Sequence, residues 1–205
     1  GDFDDAGEYG RTMSTLYQPD WENAKRAMEI AYTLRPDDER IVERYVYALA
    51  KAGYLSEALL IADDMPMDWR WLRVRAELCQ QTGEIQLAID CYIAAITDLE
   101  FSFDTRHDAF AANLKATMLS ARAGLLVQVG YYEAAVADYQ MVQAIIPTDL
   151  TIQAYLGLSM TLNSDPEQGA QVLQAVFSKA ANLRPLLTDL DPANPYVAKL
   201  FGLLG

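Results

Sequence analysis

An all-α array of helix hairpins is the fold class that this sequence predicts, and three spacings predict it. A small residue recurs as Ala24, Ala58, Ala88, Ala135 and Gly169, at separations of 34, 30, 47 and 34 residues. Glycine stands five residues ahead of three of these marks, at Gly53, Gly83 and Gly130, where a helix end entering a tight turn needs it. Four residues beyond the marks come Met28, Ala62, Tyr92, Tyr139 and Leu173, and twelve beyond come Pro36 and Pro147. Each unit then reads as a helix, a glycine turn and a second helix. The small residue of that second helix permits close packing, the residue one turn on fills the gap, and the proline stops it. A self-similar period of about 20–50 residues is the mark of a repeat architecture.

The fullest copy runs Gly130-Tyr131-Tyr132-Glu133-Ala134-Ala135, then Tyr139 and Pro147; Ala76, Ala123 and Gly157 add a second small residue twelve positions ahead of three marks. This set resembles the tetratricopeptide repeat, a 34-residue helix-turn-helix unit with small residues at its eighth and twentieth positions, Gly near the fifteenth, an aromatic at the twenty-fourth and Pro at the thirty-second. The resemblance covers residues 5–184 as five repeats, approximately 5–38, 39–68, 69–104, 105–149 and 150–184, of which the central three match best. It implies a single array over residues 1–205, a right-handed α-solenoid of antiparallel helix hairpins closed by a terminal helix at about 194–204. The first helix of each pair would line a concave face.

In repeat 1 the first helix is expected at about residues 5–17, weakened by Gly7 and Gly10, and the second at about 20–34 with Asp20 as its N-cap. Repeat 2 carries Val42, Tyr45 and Leu49 at helical spacing before Lys51-Ala52-Gly53, and its second helix, Ala58 to Asp63, is cut short by Pro66. Repeat 3 opens at Trp69-Arg70-Trp71-Leu72, turns at Thr82-Gly83-Glu84 and packs through Ala88, Tyr92 and Ala95, with at least one tryptophan in the core. Ahead of repeat 4, Thr105-Arg106-His107-Asp108 fits the Ser/Thr-x-x-Asp/Glu pattern of a helix start, and the helix it opens would reach Gln128. At roughly 23 residues and about 35 Å it would overhang its neighbours, with Phe101-Ser102-Phe103 as a loop covering Phe110 and Leu114. Repeat 5 runs from Leu150 to about Ala181, with Leu156-Gly157 at the close-packing point, Asp165-Pro166 opening its second helix, and Gly169 where the family usually has Ala. Beyond Pro185, Asp189 to Pro195 reads as a turn and Tyr196 to Leu204 as a short apolar helix expected to fold back over the last repeat.

Composition narrows the partners. The net charge is -13, from 29 acidic against 16 basic residues, and no Lys or Arg occurs between Ala123 and Ser178. A nucleic acid partner would require a basic stripe that displaces counterions, and an anionic membrane surface would require the same sign of charge. No apolar run approaches the ~18–20 residues of a membrane-spanning helix, so no membrane insertion is expected. The acidic start Gly1-Asp2-Phe3-Asp4-Asp5 lacks a signal-peptide pattern; the compartment stays open, with the cytoplasm weakly favoured and an extracytoplasmic place the alternative should a targeting segment have been removed. Cys79 and Cys91 are twelve residues apart at apolar helical positions, which fits no zinc pattern and reads as buried free thiols, with a disulfide across the hairpin as the alternative.

Catalysis needs a nucleophile, a base or a metal set, and the inventory is thin. His107 is the only histidine and is expected in solvent at the first turn of a helix. No phosphate-binding loop, nucleophile elbow or zinc-protease motif occurs, and Asp63-Asp64 reads as a solvated helix end. No enzymatic activity and no cofactor are expected. The resemblance implies a peptide groove instead, lined by positions 2, 5, 9 and 13 of each first helix, a spacing that keeps them on one face. These positions select Tyr9, Met13 and Tyr17; then Arg40, Glu43, Tyr47 and Lys51; then Arg70, Arg73, Glu77 and Gln81; and in repeat 4 Thr117, Ser120, Gly124 and Gln128.

Aromatic and basic groups in the first three repeats suit an extended peptide with an acidic segment, and the last two offer a small, uncharged floor. The carboxylate clamp of chaperone-binding family members is not supported, because Glu43 and Tyr47 occupy the places of its cation and its Asn. Arg75 and Arg122 stand where the family turns a Leu inward, so each is expected to pair, with Asp90 and Asp138 respectively. The expected function is a non-enzymatic scaffold for protein–protein interaction. Its alternative is a homo-oligomer that docks through the apolar terminal helix and the long first helix of repeat 4.

Overall fold

The computed structural model describes residues 20–205, and no strand occurs among the described residues. Tyr9, Met13, Tyr17, the first helix expected in repeat 1 and the glycines within it lie outside them. The chain divides into two compact units, Gly1–Met65 and Pro66–Gly205.

In the first unit α1 (Trp21–Leu34) packs on α2 (Glu39–Lys51), and α2 pairs with α3 (Leu55–Asp63). Asp20 caps α1 as expected, its carboxylate accepting from the Asn23 N–H at 3.1 Å. Val42, Tyr45, Val46 and Leu49 of α2 are buried with Ala58 and Ala62 of α3. Tyr45 also stacks on Tyr32 of α1, ring centroids 5.2 Å apart.

The second unit contains α4 (Trp69–Thr82), α5 (Ile85–Ser102), α6 (Ala109–Gln128), α7 (Tyr132–Ile145), α8 (Leu150–Leu162) and α9 (Pro166–Lys179). A 3-10 stretch (Ala181–Asp189) and α10 (Pro195–Leu204) follow. The hairpins are α4–α5, α6–α7 and α8–α9, and α5 also packs on α6 and α7 on α8. Ala88 and Ala135 are fully buried, as is Ala58 in the first unit, so the small residues of the repeat do meet a neighbouring helix.

One device closes four helices. The N–H of Tyr54, Glu84, Tyr131 and Asp165 returns to the carbonyl five residues back, and the N–H just before each returns to the carbonyl three residues back. This double closure needs a residue with positive φ, and Gly53, Gly83 and Gly130 supply it at +90°, +84° and +82°. In the fourth turn the position belongs to Ser164, at +71°. Capping follows the same alternation. Asp38, Asp68, Asp108 and Asp149 cap the first helices with their carboxylates, whereas α3, α5 and α7 start straight from the glycine turn with no side-chain cap.

Two expectations are corrected, and one element is added. Asp108, not Thr105, caps α6, accepting from the N–H groups of Phe110 and Ala111, so the helix has 20 residues and His107 lies in the turn before it. Phe101-Ser102-Phe103 is no covering loop. Phe101 and Ser102 end α5, Phe103 turns edge-on to Trp69 at 6.3 Å, and Phe101 and Phe110 stay 91% and 65% exposed. The stretch after α9 winds as a 3-10 helix with Pro185 inside it, which the sequence pattern did not suggest.

The terminal helix does fold back. α10 packs on α8 and α9, its Leu200 buried in one cluster with Ala154, Leu158, Leu173 and Phe177, while the Leu203 carbonyl accepts from Gln174 Nε2 at 3.0 Å.

Candidate functional site

In the first unit Arg40, Glu43, Tyr47 and Lys51 share one exposed face of α2. Tyr47 is held upright there, with Trp21 edge-on at 5.5 Å and the Lys51 ammonium 5.4 Å from its ring. In the second unit Arg70, Arg73, Glu77 and Gln81 form the corresponding face of α4, opposite the buried side of Trp71, Leu72, Ala76 and Cys79. The cations expected to await an acidic partner already have carboxylates: Arg70 pairs with Asp68 and Arg73 with Glu77, each at 3.0 Å. Both are solvent-accessible pairs, weak enough in water for a ligand carboxylate to exchange into. The Arg73 guanidinium also keeps a buried Nε–H with no acceptor.

Thr117, Ser120, Gly124 and Gln128 continue this kind of face on α6. A Cβ on Gly124 would meet nothing nearer than the Tyr139 hydroxyl, 3.9 Å away. Glycine in a helix interior costs about 1 kcal/mol relative to Ala, and no packing among the described residues demands it at this position. The two buried glycines of repeat 5 differ: a Cβ on Gly157 would lie 2.9 Å from Leu173 Cγ, and one on Gly169 would lie 2.2 Å from Thr161 Oγ1.

The tyrosines four residues past the marks do more than fill gaps. Tyr139 of α7 is 4% exposed and stacks on Tyr155 of α8, centroids 5.9 Å apart and planes 14° apart. Its hydroxyl lies beside Gly124 and makes none of the hydrogen bonds found among the described residues. Burial, helped by Tyr155 and Asp138, pushes its pKa up to about 12, so it remains a protonated donor. Tyr92 of α5 is likewise buried, and burial and then the Glu77 carboxylate raise its pKa to about 12, against a lowering by Arg73. The periodicity places both rings in the core, and where the Tyr139 hydroxyl lies was not legible from it. The signal available was the glycine at position 124, in the middle of a helix.

One of the two expected inward ion pairs forms. Arg122 makes a two-point contact with Asp138, Nε to Oδ2 at 2.7 Å and Nη2 to Oδ1 at 2.6 Å, with the Asp138 side chain 3% exposed. Arg75 is buried as expected, but its nearby acceptors include Met67 Sδ and not Asp90, which is exposed and takes Gln86 Nε2. The reason is register. Asp138 lies three residues past Ala135, whereas Asp90 lies two past Ala88 and is rotated about 100° away; Cys91 holds the equivalent place.

His107 is exposed and pairs with Asp104 at 2.7 Å, which raises its pKa. Among the described residues no three His, Cys, Asp or Glu side chains are placed to hold a metal ion, and no helix is long and apolar enough to cross a membrane.

Neither a family model nor a curated protein matches the sequence. Solved structures do match. A tetratricopeptide repeat protein from Parabacteroides merdae is 15% identical, with a TM-score of 0.67 over 96% of this chain and 72% of its own. MamA from Desulfovibrio magneticus RS-1 is 16% identical, with a TM-score of 0.63 over 87% and 95%. A chain in the Naa15/Naa10 structure bound to HypK-THB is 13% identical, with a TM-score of 0.54 over 97% of this chain and 33% of its own. Identities this low speak for the fold, and the fold is an all-α, tetratricopeptide-like array of hairpins.

Proposed function

We propose that this protein is a non-catalytic scaffold that holds an extended segment of a protein partner against the open faces of its first helices. The observation that carries the reading is which face stays open. α4 buries Trp71, Leu72, Ala76 and Cys79 and leaves Arg70, Arg73, Glu77 and Gln81 accessible, the spacing that one side of an extended peptide can follow. The match to a chain in an assembly that binds HypK-THB supports a protein as the partner. Exchangeable pairs at Arg70 and Arg73 favour carboxylates in the segment that meets α4, and the small polar surface of α6 favours uncharged residues beyond it.

The test compares partners recovered by the intact protein with those recovered by an Arg40→Glu, Arg73→Glu double variant, alongside a control altered at Glu133 and Gln140 on α7. Partners lost from the double variant and kept by the control are expected. Equal recovery by all three proteins would place binding on another face.

Self-association is the second reading, favoured by the bare Phe101 and Phe110 rings at the α5–α6 end. Light scattering separates the two, since a monomer across micromolar concentrations dismisses association.

A further inference from the structure

Resting on the scaffold reading above, we propose that the partner is read by its main chain at one point of the first-helix face, where a backbone carbonyl of the bound segment accepts the Tyr139 hydroxyl over Gly124. The two halves of this subsite are independent. Gly124 leaves space that no described residue fills, since a Cβ there finds none of their atoms closer than 3.9 Å. Tyr139 is a buried ring whose hydroxyl, the atom nearest to a Cβ on Gly124, makes none of the hydrogen bonds found among the described residues.

A phenol in such a position can donate one short, directional hydrogen bond, and a backbone carbonyl is the acceptor that every peptide provides. Asp138, the carboxylate that acts on the Tyr139 hydroxyl, is itself engaged by Arg122 and is not open to an ionic ligand group. Tyr155, stacked on Tyr139 and 37% exposed, offers a ring edge against which the segment's next side chain can rest.

The whole chain is panned against a phage-displayed library of random linear peptides, and the selected peptides are measured on three proteins. Tyr139→Phe removes only an oxygen that the fold does not use, and Gly124→Leu fills the gap; melting curves establish that each is folded. Gly124→Leu is expected to lose binding at least tenfold, and Tyr139→Phe to weaken it about three- to tenfold. Replacing one peptide amide by an ester, which weakens that carbonyl as an acceptor, should erase the difference between Tyr139→Phe and the parent protein. Loss with Gly124→Leu but parental affinity with Tyr139→Phe overturns the hydroxyl contact and leaves the scaffold face standing. If the Tyr139→Phe difference survives at every ester position, the partner is a side chain and main-chain reading is wrong. Should no peptide be selected, or should all bind Gly124→Leu as they bind the parent, the first-helix face itself is the wrong site.

Discussion

Gly169 sits where the repeat pattern usually carries Ala, and the extra methyl would have nowhere to go. Its Cβ would fall 2.2 Å from Thr161 Oγ1 and 2.7 Å from the Gly157 carbonyl oxygen, which Thr161 Oγ1 itself contacts at 3.0 Å. Gly169→Ala should therefore destabilise the protein by about 1–3 kcal/mol even though it restores the consensus residue. Urea denaturation measures this, and an unchanged or higher midpoint would mean that Thr161 yields easily. The same scale shows what a single sequence hides. Arg75 and Arg122 look alike in the pattern, as do Asp90 and Asp138, yet only Arg122 and Asp138 make an ion pair with each other. One helical position turns a side chain by about 100°, so an aspartate one residue out of register faces water.

At the scale of elements, most helix boundaries were legible because their signals are local. Asp20, Gly53, Gly83, Gly130 and the Asp165-Pro166 pair act on the backbone within one turn, and each helix end falls where they place it. The start of α6 was misread because Thr105 and Asp108 both qualify as caps, and only the three-dimensional turn held by Asp104 selects the second. α10 is the element with the clearest energetic role. Val197 and Leu200 are fully buried, and burying a side chain of this kind contributes about 1.5–3 kcal/mol. Deleting residues 196–205 should thus cost about 3 kcal/mol or more and bare Leu173 and Phe177. The expected outcome is a lower thermal midpoint with increased binding of an apolar dye; a truncated chain that melts like the parent would show α10 to be ornamental.

For the whole molecule, the division at Met65–Pro66 places three hairpins and a terminal helix in the second unit, each hairpin with a buried side of its own. About three stacked repeats with a closing helix suffice for an independent array. Residues 66–205 alone should give a helical circular dichroism spectrum and a single cooperative melt. A fragment that is soluble yet melts without cooperativity would refute that independence. What the sequence determined by itself was the class of fold and its turns, since period, capping and glycine φ are properties of neighbouring residues. What only the tertiary structure decided was the surface: which cations are already paired, which aromatic rings remain bare, and where the Tyr139 hydroxyl lies. Those depend on how one helix is rotated and displaced against the next, and residues far apart in the chain fix that packing together.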